Sequence, residues 1–359
     1  MTEKWIDKPR EVRDGDKQDT RRLFSYLSEQ LEGLEGEFEL QQFPSGHSNL
    51  TFMLRNGSQE WVLRRPPGGA GRIKSGHDMG REYRILSKLH TAYAKVPKMV
   101  HFCEDEDILG APFYLMERVK GVIFRSRPPK GLELTPDTMR SLSEALVDNL
   151  VELHQVDYEA AGLGELGKPA GYVERQITGW TRRYYKAQTD DIPEMEQVAK
   201  WLAENRPPES TRASLIHNDY KYDNLVLDPN ELTTIRAVLD WEMATLGDPL
   251  MDLGTTLGYW ITAEDPDEWK FMPFGLTTMP GNLSRSQIVE RYAEKSGHDV
   301  SNILFYYVYA LFKIGVIVQQ IYFRYKQGDT NDPRFAHMLF FCQMLSQIAA
   351  GKIESESLD

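Results

Sequence analysis

The sequence predicts an α+β chain in two lobes: an antiparallel sheet carrying one helix over residues 1–118, and a mainly helical lobe over 119–359. Three observations point there. Apolar residues alternate in short runs before residue 120 and recur at helical spacing in the long runs after it. The chain has 359 residues, more than the roughly 250–300 at which a single core stops growing. Its composition, 41% hydrophobic and 27% charged, is that of a folded globular chain rather than a disordered or fibrous one.

Taken in order, residues 1–20 are polar and read as a loose arm. Leu23, Phe24, Leu27 and Leu31 space a helix over 21–34. Strand-like runs follow at 37–43, 49–55 and 60–64, with Asn56-Gly57 as a hairpin turn between the last two. Pro66-Pro67-Gly68-Gly69 ends the sheet. Residues 78–90 read as a helix with Tyr83, Leu86 and Leu89 on one side. Val96-Pro97 opens an extended segment, and 113–118 is a further strand. Beyond Val119-Lys120-Gly121 the pattern turns helical. Residues 135–154 form an amphipathic helix with Pro136 in its first turn. Residues 170–205 read as helical, around Trp180, Tyr184, Tyr185 and Trp201. Two short strands, 225–227 and 235–239, flank an Asp228-Pro229-Asn230 turn. From Ser284 the chain is almost all helix, with an acidic tail from Glu354 expected to fray.

Charge and composition exclude several roles. Lys and Arg number 42 against 54 Asp and Glu, a net charge of −12. That balance argues against a general nucleic-acid binder, although it permits a local phosphate site. Cys103 and Cys342 are far apart and neither sits in a metal-ligand cluster, which fits a reducing compartment. The charged N-terminal stretch lacks the apolar segment of a secretory signal. Residues 305–323 are apolar enough to raise a membrane span, but Lys313, Gln319 and Gln320 interrupt them, so a buried helix is expected. The expectation is a cytoplasmic protein with no membrane and no nucleic-acid partner.

The chemistry concentrates in LIHNDYKYDNLVL, residues 215–227, where His217, Asp219 and Asn224 stand in an H-x-D-x-x-x-x-N arrangement before a strand. Asp240 follows at a later strand end. Phosphoryl transfer needs a carboxylate to accept a hydroxyl proton, and oxygen ligands for Mg²⁺. This order of residues supplies both, as in protein kinases. Each residue alone would suit a capped turn or a strand end; the joint order makes coincidence a poor account.

With LIHNDYKYDNLVLDP and AVLDWEMATLGDPLMDLG on the page, the chain resembles the aminoglycoside phosphotransferase (APH)/choline kinase-like family of small-molecule kinases. VLRRPP near residue 62 and HDMGREYRIL near residue 77 resemble the branch fused to acyl-CoA dehydrogenases. The resemblance implies a protein kinase-like two-lobe fold binding ATP and Mg²⁺. It implies Asp219 as catalytic base, Asn224 and Asp240 as Mg²⁺ ligands, His217 as a brace of the catalytic loop and Asp252 as an acid supporting that loop. Lys221 matches a lysine found near the γ-phosphate in many protein kinases. Glu82 resembles the helix glutamate that pairs with a strand lysine on the ATP phosphates. Here that lysine is replaced by Arg64 or Arg65; strand alternation lets only one serve, and Arg64 is favoured. Arginine can clamp phosphate bidentately. Residues 43–52 resemble the phosphate-covering loop, with Gly46 allowing a tight turn and Ser45, His47, Ser48 and Asn49 offering hydrogen bonds to phosphate, although an ordinary hairpin loop would read the same. Glu117 and Val119 fall at the hinge that reads adenine through its backbone. Asn218 stands where the family more often has glycine.

The acceptor is expected to be a small-molecule hydroxyl, because only six residues separate Asp240 from Gly247, with no activation segment of a protein kinase. The acidic chain would suit a cationic aminoglycoside; the resemblance to the dehydrogenase-fused branch favours a hydroxyacyl-CoA or related hydroxylated metabolite. The competing class is a non-catalytic kinase-like protein that binds nucleotide or a partner. Oligomeric state and ATP against GTP stay open.

Overall fold

The computed structural model describes residues 2–34, 36–44, 49–67, 78–210, 212–272, 275–330 and 332–359. In chain order the elements open with α1 (Thr20–Gln30), β1 (Glu39–Gln42), β2 (Leu50–Asn56), β3 (Gln59–Arg65), α2 (Met79–Leu89), β4 (Met99–Cys103), α3 (Glu106–Leu109) and β5 (Phe113–Glu117). The middle holds α4 (Pro136–His154), α5 (Tyr172–Ala187), α6 (Pro193–Glu204), β6 (Ser214–Ile216), β7 (Leu225–Leu227), β8 (Ile235–Val238) and β9 (Thr245–Gly247). The chain closes with α7 (Pro249–Gly258), α8 (Arg285–Ser296), α9 (Ile303–Lys326) and α10 (Met338–Ser355). Two compact units result. The first takes Met1–Ile123, Asp157–Gly164 and Asn224–Met243; the second takes Phe124–Val156, Glu165–Asp223 and Ala244–Asp359.

The first unit is built on a five-stranded antiparallel sheet in the order β1-β2-β3-β5-β4. The β2–β3 hairpin closes at the Asn56–Gln59 pair, and Gly57 takes the positive φ of 58° that a tight turn needs. Alternation divides the side chains between two faces. Phe52, Leu54, Leu63, Phe113 and Leu115 pack with Leu23 and Leu27 of α1. Val62, Tyr114 and Met116 pack with Met79 of α2. Each fully buried large side chain contributes roughly 1.5–3 kcal/mol. Arg64 shares the α2 face with Val62. Arg65 goes to the other face, where its guanidinium reaches Gln18. The β7–β8 pair joins this unit: Val122 and Leu227 exchange backbone hydrogen bonds of 2.9 Å in both directions.

The second unit is helical apart from the short β6–β9 pair. Its central helix, α9, is long and apolar enough to cross a membrane by length and composition, and 83% of its most apolar stretch is buried inside the protein. Gly254 and Gly258, one turn apart on α7, let α9 approach closely. A Cβ at Gly254 would lie 2.5 Å from the Tyr306 carbonyl oxygen, and one at Gly258 would lie 2.9 Å from the Ala310 Cβ.

Three readings of the sequence are corrected. The helical stretch 170–205 is two helices, because Pro193 lacks an N–H and starts α6 instead of continuing α5. The N-terminal arm is tied down: Arg10 and Gln42 exchange backbone bonds of 2.8 Å, and Asp7 N donates to Gly121 O at 3.0 Å. The acidic tail is held at its last residue. The Asp359 carboxylate accepts from Arg285 N at 2.9 Å and Ser286 N at 3.2 Å, the unpaired donors at the start of α8.

Candidate active site

In the second unit, β6 runs directly into the loop carrying His217 and Asp219. Its partner β9 runs into α7, whose first residues are capped by Asp248 accepting from Leu250 N at 2.9 Å. The β6–β9 pairing therefore sets Asp252, in the first turn of α7, beside the loop. Asp252 is fully buried. One oxygen accepts from His217 N at 2.6 Å, the other from Asn218 N at 2.7 Å. His154 of α4 adds a third contact, Nε2 to Asp252 at 3.1 Å, while its Nδ1 lies 2.7 Å from the Tyr292 hydroxyl. Burial pushes the Asp252 carboxyl up, but the bonds from His154 and the His217 backbone outweigh it, and its pKa is held below the usual carboxylate range. With Asp252 ionised, the Nε2 of His154 faces it as a hydrogen-bond donor.

The rest of the loop is fastened residue by residue. His217 Nδ1 accepts from Asp219 N at 3.2 Å. Asn218 takes φ 65°, the left-handed geometry that asparagine tolerates better than most residues, and Tyr172 of α5 lies 3.1 Å from its amide nitrogen. Lys313 Nζ donates to the Asn218 carbonyl at 2.8 Å. Thr256 of α7 donates to the Tyr220 carbonyl at 3.0 Å, and the Tyr220 hydroxyl donates to Leu146 O at 3.0 Å. The Asp219 carboxylate itself meets Lys221, whose Nζ lies 2.9 Å from both oxygens and 4.5 Å from the centre of the Tyr259 ring. Burial opposes the ammonium, yet Tyr259, Asp219 and Asp223 hold its pKa above the usual lysine range, so Lys221 is charged.

In the first unit a second cluster forms around Arg64. One guanidinium nitrogen lies 2.7 Å from Glu82 Oε1 of α2, and another 3.0 Å from Asp240 Oδ1. The same Glu82 oxygen accepts from Trp241 N at 3.1 Å. The guanidinium is nearly enclosed and Glu82 fully so. Burial raises the Glu82 carboxyl above its ordinary range against the pull of Arg64. Arg64 stays charged, because Glu82, Tyr114 and Asp240 offset its desolvation. Asp240 follows β8 at φ 68°, left-handed geometry that a surrounding network must enforce. Asn224 is buried beside it in the chain's fold, its carbonyl accepting from Leu239 N at 2.8 Å. Asn224 and Asp240 offer a carboxamide and a carboxylate oxygen. Such hard donors suit Mg²⁺, which takes one or two protein ligands and keeps its remaining positions for water and phosphate. Among the described residues no group of three or more His, Cys, Asp or Glu is placed to hold a metal.

The remaining sequence-predicted residues are distributed as follows. Ser45, Gly46, His47 and Ser48 lie outside the described residues. Asn49 donates to Glu242 Oε2 at 2.9 Å within the first unit. Glu117 ends β5 with its N–H on Lys98 O at 2.8 Å, and Val119 follows, half-buried. The structure adds residues that sequence reasoning missed: His154, Tyr172, Tyr259 and Lys313 around the loop, and Tyr114 across from Arg64 in the β3–β5 register. Lys313 shows in the sequence as a cation inside an apolar run.

The chain matches a family model described as the phosphotransferase enzyme family, APH, over residues 39–270. It is 35% identical over 312 residues to mouse acyl-CoA dehydrogenase family member 10, covering 85% of this chain and 29% of that protein. It is 34% identical over 322 residues to human acyl-CoA dehydrogenase family member 11, covering 87% and 40%. The chain thus spans less than half the length of these curated relatives. Among solved structures it is similar to a Ralstonia eutropha chain assigned to the aminoglycoside phosphotransferases, with 30% identity and a TM-score of 0.78, covering 94% of this chain and 99% of that one. A ternary complex of aminoglycoside phosphotransferase APH(4)-Ia with ADP and hygromycin B shares the fold at 16% identity and a TM-score of 0.59, covering 92% and 98%.

Proposed function

The chain belongs to the APH phosphotransferase enzyme family, and from that premise we propose that it transfers the γ-phosphate of ATP to a hydroxyl group of a small molecule, with Asp219 as catalytic base. The observation that carries the reading is the loop itself: a carboxylate presented on a backbone that Asp252, His217, Thr256 and Lys313 all fasten. A solvated acidic turn has no need of so many anchors.

In the proposed reaction the acceptor hydroxyl hydrogen-bonds to Asp219. As its oxygen forms the bond to γ-phosphorus, its proton passes to the carboxylate and the bond to the ADP oxygen breaks. Lys221 lies where it can neutralise negative charge beside that step. Arg64, oriented by Glu82, supplies a permanent positive charge for the phosphates. Asn224 and Asp240 would hold Mg²⁺, which supplies charge neutralisation when bound. ATP use is supported by the neighbouring fold crystallised with ADP. The likeness to acyl-CoA dehydrogenase family members supports a hydroxyacyl-CoA or related hydroxylated metabolite as acceptor over an aminoglycoside.

The test is ADP release with Mg²⁺ and ATP across hydroxyacyl-CoAs, amino alcohols, sugars and aminoglycosides, with Asp219→Asn as control. We expect turnover on the hydroxyacyl-CoAs and a fall of about 10²–10⁴-fold in the variant with nucleotide affinity retained. Undiminished turnover in the variant would remove Asp219 from its role. Tight ATP binding without transfer to any acceptor would favour a non-catalytic nucleotide binder.

A further inference from the structure

We propose that Lys313, in the middle of α9, is a positioning residue for the transfer reaction: its ammonium grips the Asn218–Asp219 peptide and thereby aims the Asp219 carboxylate. The chemistry rests on the phosphotransferase reading above; the grip rests on the geometry of the second unit alone.

Lys313 is 2% exposed, and its Nζ lies 2.8 Å from the Asn218 carbonyl oxygen. That oxygen belongs to the same peptide group as the N–H of Asp219, and this N–H donates to His217 Nδ1 at 3.2 Å. A peptide group is planar. Holding its oxygen from one side and its hydrogen from the other fixes the plane, and the plane sets where the Asp219 side chain leaves the backbone. The preceding peptide is fixed as well, through Asn218 N on Asp252 at 2.7 Å. Asn218 therefore sits between two immobilised planes at φ 65°, which is how a non-glycine residue is kept left-handed. Remove Lys313 and one of the two grips on the catalytic peptide is gone.

A lysine is a poor choice for filling a helix interior, because an ammonium is strongly disfavoured there unless it has partners. Methionine would fill similar space but could not donate to a carbonyl. The groups that face Lys313 explain why the charge is tolerated. Asp219 and Asp252 attract it and Lys221 repels it. Around α9 itself, α7 approaches through Gly254 and Gly258, α6 and α10 meet Gly315 with Met195 and Leu345, and α5 contributes the neutral Tyr172 through Asn218. Tyr306 of α9 engages the Asp248 carboxylate at 2.8 Å, and the helical turn Pro333–His337 carries Arg334 and His337 at exposed positions. Burial pushes the ammonium down and the two carboxylates pull it back up, leaving it at about 8. The grip should therefore weaken under mildly alkaline conditions.

The experiment compares wild type, Lys313→Met and Lys313→Arg by three readouts. These are ADP release from Mg²⁺–ATP with water as acceptor, affinity for a fluorescent ATP analogue, and amide hydrogen exchange of residues 217–220. Lys313→Met is expected to release ADP at least tenfold more slowly, to hold the analogue within threefold of wild type, and to exchange those amides at least tenfold faster. Wild-type ADP release should fall as pH rises through about 8, and Lys313→Arg, permanently charged, should flatten that fall. Exchange and turnover of Lys313→Met equal to wild type would overturn the proposal. If Lys313→Met does not fold, Lys313→Leu takes its place in the same readouts, and exchange and turnover equal to wild type would again overturn the proposal. If wild type neither binds the analogue nor releases ADP, the phosphotransferase reading fails by itself. Amide exchange then still judges the grip: faster exchange in Lys313→Met upholds it and unchanged exchange refutes it.

Discussion

Arg64 joins two carboxylates with one side chain, and that makes its removal costly in a definite way. Arg64→Ala would leave Glu82 fully buried with its cation gone. Breaking such a pair is expected to destabilise the fold by about 3–5 kcal/mol. Arg64→Lys should recover part of this, since an ammonium restores the charge but not the reach to both Glu82 and Asp240. Urea unfolding of both variants checks it; an unchanged midpoint for Arg64→Ala would mean Glu82 does not depend on Arg64. That only one of Arg64 and Arg65 could face α2 was legible in the sequence, because alternation sends neighbours to opposite faces; which of the two was not. Lys313 was legible only as an oddity. Its partner is 95 positions away in sequence, and no local pattern encodes a contact of that range. Tyr259, which Lys221 sits over, could not be told apart in the sequence from the chain's many other aromatics.

Elements with a long period or a cap were the ones that could be read ahead. Thr135 caps α4 and Ser284 closes a capping box on α8, and both helices start where those residues predict. Ser284→Ala should lower stability by about 1 kcal/mol without altering turnover, as seen by thermal unfolding beside an ADP-release assay. The three-residue strands β6 and β9 were not read: unlike β7, which an Asp228-Pro229-Asn230 turn marks, they have no hairpin turn between them, yet their pairing is what delivers Asp252 to the loop. The contact between α7 and α9 was equally silent. Gly254→Ala would drive a Cβ to within 2.5 Å of the Tyr306 carbonyl oxygen, so α9 must shift. A loss of about 1–3 kcal/mol is expected, together with slower ADP release as Lys313 moves with its helix. Stability lost with turnover unchanged would separate α9 packing from loop geometry.

Across the whole molecule, alkaline pH should set stability and activity against each other. An unfolded lysine titrates near 10.4, whereas burial brings Lys313 down to about 8. Between those values the unfolded chain binds more protons, so this group makes stability rise with pH. Relative to Lys313→Met, wild type should gain on the order of 2–3 kcal/mol between pH 7 and 10, measured by urea unfolding, while its turnover declines. Past pH 10 the sign reverses. Burial holds the phenols of Tyr172, Tyr259 and Tyr292 above their ordinary range, so the unfolded chain loses those protons first and stability falls. The first unit carries a different consequence. It is not a continuous stretch of chain: residues 157–164 and 224–243 return to it after long excursions. A ribosome therefore cannot finish this unit until residue 243 has emerged, and the strand region near Val122 waits for Leu227 through the synthesis of about a hundred residues. A fragment cut at residue 123 would contain the five strands of the sheet but lose Asn224 and Asp240. It would carry Arg64 and Glu82 without the Asp240 that Arg64 meets.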